Sequence, residues 1–541
     1  MNNQSQTESR GNQYWPLITG GLLIIVLSML MAWISSGFTS VQYWGNYLLI
    51  SFVSGGMMYG GWLAIKADNS LNPPRWLAWL VIGAAVLRLT AGVIWYTGLP
   101  SWGYGSDVEI GGYIMADAHV RDKAAWELAQ SNNQLISAFG VNRQVDQYGG
   151  MVYLSGLVYR YLGGEYHQPL QMIVITAAIS SMAVLFGWAF VSRLWGSRAA
   201  KIAAWILVLF PDAVILGSSQ MREAFLMTLI ASALYGLVRY VQDRSRLGLV
   251  WLVASILLML PFSSPIAGVF LLMIIILALS MDGWQLLRQT RFWLILAGIA
   301  LVAGIGIWLA WEQIAPEGIN NPVALVVWWF QESARWQAYF VKRSSQLIRR
   351  IINTTPDWVN TPILIGYGVL QPFLPGALLD QGFPIWKGIA IWRSVGWTLM
   401  LPFLLAAPLL LIRLQEKRRL VTGLAIVVWM GILIAAFRSG GDLWDNPRYR
   451  VVFISLQAGL VAWVWYSQRD NKNPWLWRVI LGLAIILAWF IPWYLQRNDL
   501  IIWPFDNVFE TLGLGLVSVI ILFFGLYLWG RRKRGKHSES E

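Results

Sequence analysis

The chain contains no cysteine, and only three of its 541 residues are histidine. Disulfides and thiolate metal sites are therefore excluded, and His119, His167 and His537 are too scattered to form a His-rich metal cluster. Any metal, such as a divalent cation, would have to sit on carboxylates, and the sequence identifies no other cofactor. Charge is scarce as well, at 12% Asp, Glu, Lys and Arg against 57% hydrophobic residues. The alternation of apolar and polar residues that marks a membrane β-barrel is missing. So are a fixed-period repeat and the paired interrupted helices of transporters built from matching halves.

What is present is a succession of apolar runs of about twenty residues, each long enough to cross a bilayer as a helix. Fourteen candidate spans can be counted, at 16–35, 44–66, 76–97, 168–190, 199–217, 223–241, 248–262, 264–281, 292–312, 389–412, 420–437, 450–467, 478–495 and 510–530, so the expected fold is an all-α polytopic membrane protein. The polar start "MNNQSQTESRGNQYW" is followed by no small-residue cleavage site, and the first apolar run is read as a retained helix. Two spans fill 1–75; a core with a large acidic loop (98–167) fills 76–312; a second large loop occupies 313–388. Further spans fill 389–530, and a basic tail closes the chain at 531–541.

Threading the spans alternately places "SRLWGSRAAK", "RYVQDRSR", "RLQEKRR" and "RRKRGKH" on one side. That side holds 23 Lys and Arg against 8 Asp and Glu, net +15, while the rest of the chain nets −2. By the positive-inside bias it is cytoplasmic, with both termini. The overall charge of +13 is then a topology signal, and nucleic acid is a poor candidate partner. Both long loops fall outside the cell membrane, which puts any chemistry on the extracytoplasmic face. Two helices too short or too polar to span are expected in the first loop, from Ala118 to about Gln130 and from Gln147 to about Leu162, lying along the interface. In the second loop, "TPILIGYGVLQPFLPGALL" is broken by Pro372 and Pro375 and reads as re-entrant or interfacial.

The first loop crowds Asp107, Glu109, Asp117 and Asp122 into sixteen residues. Asp117 precedes the helical pattern "AHVRDKAAWELAQ" and reads structurally as its N-cap, with Arg121 as an i, i+4 partner. The short outer turn "GSSQMREAF" adds Arg222 and Glu223, and a third outer segment, "RSGGDLWDNPRYR", adds Arg438, Arg448 and Arg450 at two span mouths. Arginine forks hold phosphate oxygens; there they could equally bind anionic headgroups or pair with nearby Asp. Arg88, deep in the third span, should face the protein interior. Carboxylates that take a proton, arginines that hold a phosphate and aromatic surface beside lipid together suit group transfer from a lipid phosphate.

Residues 76–245, with "WDNPRYR", resemble the polytopic glycosyltransferases of the C superfamily, which include protein O-mannosyltransferases and lipid A aminoarabinose transferases. The resemblance rests on an acidic outer loop with two interfacial helices, followed by "HQPLQMIVITAAISSMAVLFGWAFVSRLWGSRAAKIAAWILVLFPDAVILGSSQMRE". It implies a polyprenyl-phosphate sugar donor, inversion at the anomeric carbon, and a loop carboxylate as base. Asp117 is the first choice, with Asp107 and Glu109 as rivals. Asp122, Arg222, Glu223, Arg438, Arg448 and Arg450 would bind substrate. The acceptor would be a glycan, lipid or protein hydroxyl, and membrane lipids are further partners. The chain departs from the family in its two leading spans, in "DVE" where adjacent acids are usual, and in "DQYGG" after the first loop. The competing readings are a polysaccharide polymerase or ligase, and a transporter or flippase of lipid-linked sugars.

Overall fold

The computed structural model describes residues 4–140, 145–282, 346–412, 414–438, 446–471 and 474–538, with scattered residues between 288 and 335. Among these no strand occurs, and the fold is the all-α polytopic one expected. Nine described helices are long and apolar enough to cross a membrane, or ten if one bent pair forms a single span. The expected span at 292–312 lies largely outside the described residues.

Helices α1 (Gln4–Ser35) and α2 (Trp44–Lys66) pair with each other, and α2 leans on α7 (Pro169–Trp195). α7 is the central post: 89% of its apolar window is buried, against 11% for the peripheral pair α19 (Trp475–Arg497) and α20 (Val508–Ser538). Around it pack α3 (Arg75–Trp102), α8 (Ser197–Leu209) and α10 (Arg222–Asp243). Lipid tails are as apolar as leucine, so spanning helices associate through close packing of small residues. α7 and α8 bury Ala177, Ala178, Ser180, Ser181, Ala199, Ala200, Ala203 and Ala204 for this purpose. α10 meets α11 (Arg246–Asp282) backbone to backbone, where a Cβ on Gly236 would lie 2.7 Å from the Gly248 carbonyl oxygen.

α11 is 37 residues long, and a straight helix of that length would hold its ends about 55 Å apart. Yet Arg244, just before its start, donates to Asp282 at its end over 2.6 Å. The helix therefore folds back on itself. Its one non-helical residue, Ser263 (φ −167°, ψ 97°), lies between Pro261 and Pro265 and forms the apex. The apex sits beside α6 (Gly150–Leu162), where a Cβ on Gly150 would collide with the Pro261 carbonyl. The sequence reading of two runs, 248–262 and 264–281, thus corresponds to the two arms of a hairpin.

α8 and α9 (Pro211–Gly217) form the bent pair, meeting at 56°. Phe210 precedes Pro211 and takes an extended conformation, as the proline ring demands. The break exposes carbonyls, and Arg88 meets them: its Nη2 donates to Leu207 O at 3.0 Å and its Nε to Ala213 O at 3.4 Å. Arg88 faces the interior as expected. It is not alone there: Asp212, on α9, pairs with Arg393 of α15 (Pro384–Leu411), and both are buried.

In the second large loop, α13 (Asp357–Leu370) follows the short α12 (Gln346–Thr354) and is too short to span. It stops at Gln371, extended before Pro372, and α14 (Leu374–Leu379) begins afresh. The segment is broken, as its two prolines suggest. α16 (Arg418–Arg438), α17 (Asn446–Val451) and α18 (Ile454–Asn471) complete the bundle, with α16 against the hairpin and α18 against α8 and α15.

Side-chain contacts sort into two ends of this bundle. At one end Asp68 accepts from Arg193 (2.6 Å) and Tyr235 (2.8 Å), while Arg193 also reaches Asp243. Burial works to raise the Asp68 carboxyl pKa, but hydrogen bonds from Arg193, Tyr235 and the Ser70 amide hold it below the ordinary value. The opposite end carries the acidic loop.

Candidate functional site

The first large loop builds four short elements above the bundle: α4 (Asp107–Ile110), α5 (Ala116–Gln130), a 3-10 turn (Leu135–Phe139) and α6. Both expected helices are found. α5 starts two residues earlier than its polar pattern suggests, because Met115 is the residue at its cap and makes no side-chain cap bond. Asp117 therefore sits inside the first turn, and the N-cap reading is corrected. Its i, i+4 partnership with Arg121 is present at 3.3 Å.

Asp117 also accepts from Arg448 of α17, Nη1 to Oδ2, at 2.9 Å. With 41% of its side chain exposed, it is a carboxylate held by two guanidinium groups yet open to solvent. Burial pushes its pKa upward, but the Arg448 and Arg121 charges, with Arg222 farther off, outweigh this and hold it below the ordinary carboxyl value. Arg448 turns a second nitrogen to the Tyr449 hydroxyl at 2.9 Å and lies over that ring at 4.8 Å. Arg121 reaches Met221 Sδ at 3.8 Å and approaches Asp146 at 4.0 Å. Asp146 in turn accepts from the amides of Met151 and Val152, capping α6 where Gly149 has no side chain to do so.

Arg222 and Glu223 open α10 directly beneath. Arg222 Nε lies 3.7 Å from Glu223 Oε1, and the guanidinium stands 5.1 Å over the Tyr148 ring. Arg222 Nη1 and Glu223 Oε2 are buried without a hydrogen-bond partner among the described residues. Such atoms are costly unless a ligand or water meets them. Tyr148 is within electrostatic reach of Arg222, Arg438 and Tyr449, and touches Ser263 at the hairpin apex. α5, α10 and α17 thus bring Arg121, Arg222 and Arg448 around Asp117, with Glu223 beside Arg222, while Arg438 at the end of α16 comes within reach of Tyr148.

The other sequence candidates are placed elsewhere. Glu109 is buried and forms a capping box with Ser106, and its other oxygen accepts from Trp386 Nε1 at 2.7 Å. Burial would raise its pKa, but backbone bonds near Tyr104 and Ser106 and the Ser106 and Trp386 side chains hold it low. Asp107 is exposed at the start of α4. Asp122 is fully buried, on the face of α5 that also carries Ala118, Ala125 and Ala129. Arg450 is buried with its guanidinium 3.4 Å from the Trp397 ring, within electrostatic reach of Asp212 and Arg393. Asp442 and Asp445 lie outside the described residues. Among the described residues no three His, Asp or Glu stand together as a metal site.

Sequence reasoning missed Tyr148, Tyr449 and the Asp212–Arg393 pair. The signal for the pair was available: a charge inside an apolar run demands a partner.

No family model matches the chain. An arginine exporter of Photorhabdus laumondii is 27% identical over 187 residues, which cover 30% of this chain and 88% of the exporter. An archaeal oligosaccharyltransferase of Archaeoglobus fulgidus, solved with an inhibitory peptide and a dolichol-phosphate, matches 84% of the chain at 15% identity, with a TM-score of 0.35. The chain covers 55% of that enzyme's length.

Proposed function

We propose that the protein is a membrane glycosyltransferase of the C-superfamily type, moving a sugar from a polyprenyl-phosphate donor to an acceptor hydroxyl at the extracytoplasmic face. The observation that carries this reading is the half-exposed Asp117 carboxylate held by Arg448 and Arg121, within reach of the Arg222 charge. Asp117 removes the acceptor's hydroxyl proton. The oxygen attacks the anomeric carbon, the bond to the phosphate oxygen breaks with inversion, and the phosphate leaves with the electron pair. Its added charge falls on the arginines, and Asp117 passes the proton to water.

A carboxylate with a depressed pKa is a weak base, and the donor supplies the remedy. Its phosphate competes for Arg448, and an Asp117 relieved of that charge becomes more basic when the acceptor arrives. Residues 98–167 and the site then face outward, with both termini cytoplasmic. Equilibrium binding of polyprenyl phosphate tests the reading. Arg448→Ala and Arg222→Ala should each weaken it by about tenfold or more, as loss of a charge-assisted bond implies; unchanged affinity in both would return these residues to simple pairing.

A second reading, movement of a lipid-linked sugar or another solute across the membrane, is favoured by the buried Asp212–Arg393 pair. Likeness to an exporter over part of the chain agrees with it. Reconstituted vesicles separate the two, since a carrier equilibrates its solute without breaking the sugar–phosphate bond.

A further inference from the structure

We infer that Asp122 is a positioning residue, a buried hub that sets the register of α5, and so of Asp117 and Arg121, against the α10 turn that carries Arg222 and Glu223. The inference rests on the function proposed above. Asp122 has no exposed surface and stands where apolar Ala118, Ala125 and Ala129 line the same helix face. A bare carboxylate there would be prohibitively costly, so its partners must repay its desolvation. They come from different elements. Tyr113, from the link before α5, and Tyr159, on α6, each donate a hydroxyl to it. His167, from the link between α6 and α7, brings Nε2 to 2.8 Å from a carboxylate oxygen, without directed hydrogen-bond geometry.

The connection to α10 runs through Tyr159, whose hydroxyl accepts from Gln220 Nε2 at 2.6 Å. Gln220 lies two residues before Arg222. The rings reinforce the hub: His167 stacks on Trp126, one turn along α5, at 5.2 Å, and meets Tyr159 edge-on at 5.3 Å. Burial, with the Asp122 charge next, pushes the Tyr113 and Tyr159 phenols well above their ordinary pKa, which keeps both as donors. One carboxylate therefore fastens the two arginine–carboxylate units of the site to each other without touching substrate.

The test is a double-mutant cycle read as kcat and KM. Asp122→Asn keeps the shape but loses the charge, and Tyr159→Phe removes a single hydroxyl should the first variant fold poorly. Either should lower kcat by about ten- to a hundredfold, the scale of an ångström's misplacement, with donor KM changed less than threefold. Combined with Asp117→Asn, neither should lower transfer further, because the hub acts through Asp117. Parental kcat in both single variants, or losses that multiply with that of Asp117→Asn, would overturn the inference. If the parental protein transfers no sugar, the proposed function fails, and spin labels at Lys123 and Tyr161 in this cysteine-free chain still judge the hub. The α5–α6 distance distribution should broaden in Asp122→Asn; an unchanged distribution would refute the hub on geometry alone.

Discussion

Arg448 and Asp117 are 331 positions apart in the chain and 2.9 Å apart in space. The contact closes the acidic loop onto a segment from the C-terminal half, and it is what makes a site of two otherwise separate clusters. It also sets the protonation of the carboxylate.

Because the Asp117 pKa is lowered in the folded protein, its contribution to stability is present above the unfolded carboxyl pKa and is lost as pH falls through the folded value. Arg448→Gln removes one of the charges that hold it down. Acid unfolding followed between about pH 5 and 2 should therefore begin at higher pH in Arg448→Gln than in the parent. Coincident acid limbs would mean that the ion pair does not form.

The hairpin of α11 makes a geometric prediction. Cysteines placed at Arg244 and Asp282 in the cysteine-free chain should cross-link readily with a short bifunctional reagent, whereas a straight 37-residue helix would leave them far apart. For the sidedness proposed, an impermeant thiol reagent applied to intact cells should label Asn132→Cys and spare Ser197→Cys. Labelling of the second and not the first would invert the topology.

Asp212 and Arg393 form a buried pair beside the α8–α9 break. Asp212→Ala leaves a buried guanidinium uncompensated and should destabilise the protein by about 3–5 kcal/mol. Replacing both, as Asp212→Ala with Arg393→Leu, should recover only part of that loss in thermal unfolding, because buried Arg450 also faces Asp212. A double variant as unstable as the single one would show that the Arg393 charge is not what Asp212 offsets.

Hydropathy made the all-helical membrane fold legible, with nine or ten spanning helices among the described residues against fourteen counted, and charge placement made the two ends of the bundle legible. Arg222, Arg448 and Asp117, assigned to one face from sequence, do meet there, and Asp68, Arg193 and Asp243 meet at the other. What sequence left unresolved is tertiary. Nothing local says which of the four loop acids faces the arginines, because the choice depends on Ser106 and Trp386 occupying Glu109, on Tyr113 and Tyr159 occupying Asp122, and on Asp107 standing exposed at the start of α4. The position of Asp122 could have been anticipated, since 118, 122, 125 and 129 fall on one helical stripe. The start of α5 could not, because Met115 offers no capping oxygen to mark it.

Whether Asp117 accepts the proton of the attacking hydroxyl is decided by the rate of sugar transfer from a polyprenyl-phosphate donor in Asp117→Asn. Asp107→Asn and Glu109→Gln, made in parallel, are the controls. A general base at Asp117 requires a fall of about 10² to 10⁴ in Asp117→Asn, with donor binding retained and both controls transferring within a few-fold of the parent. Transfer by Asp117→Asn at the parental rate would contradict it.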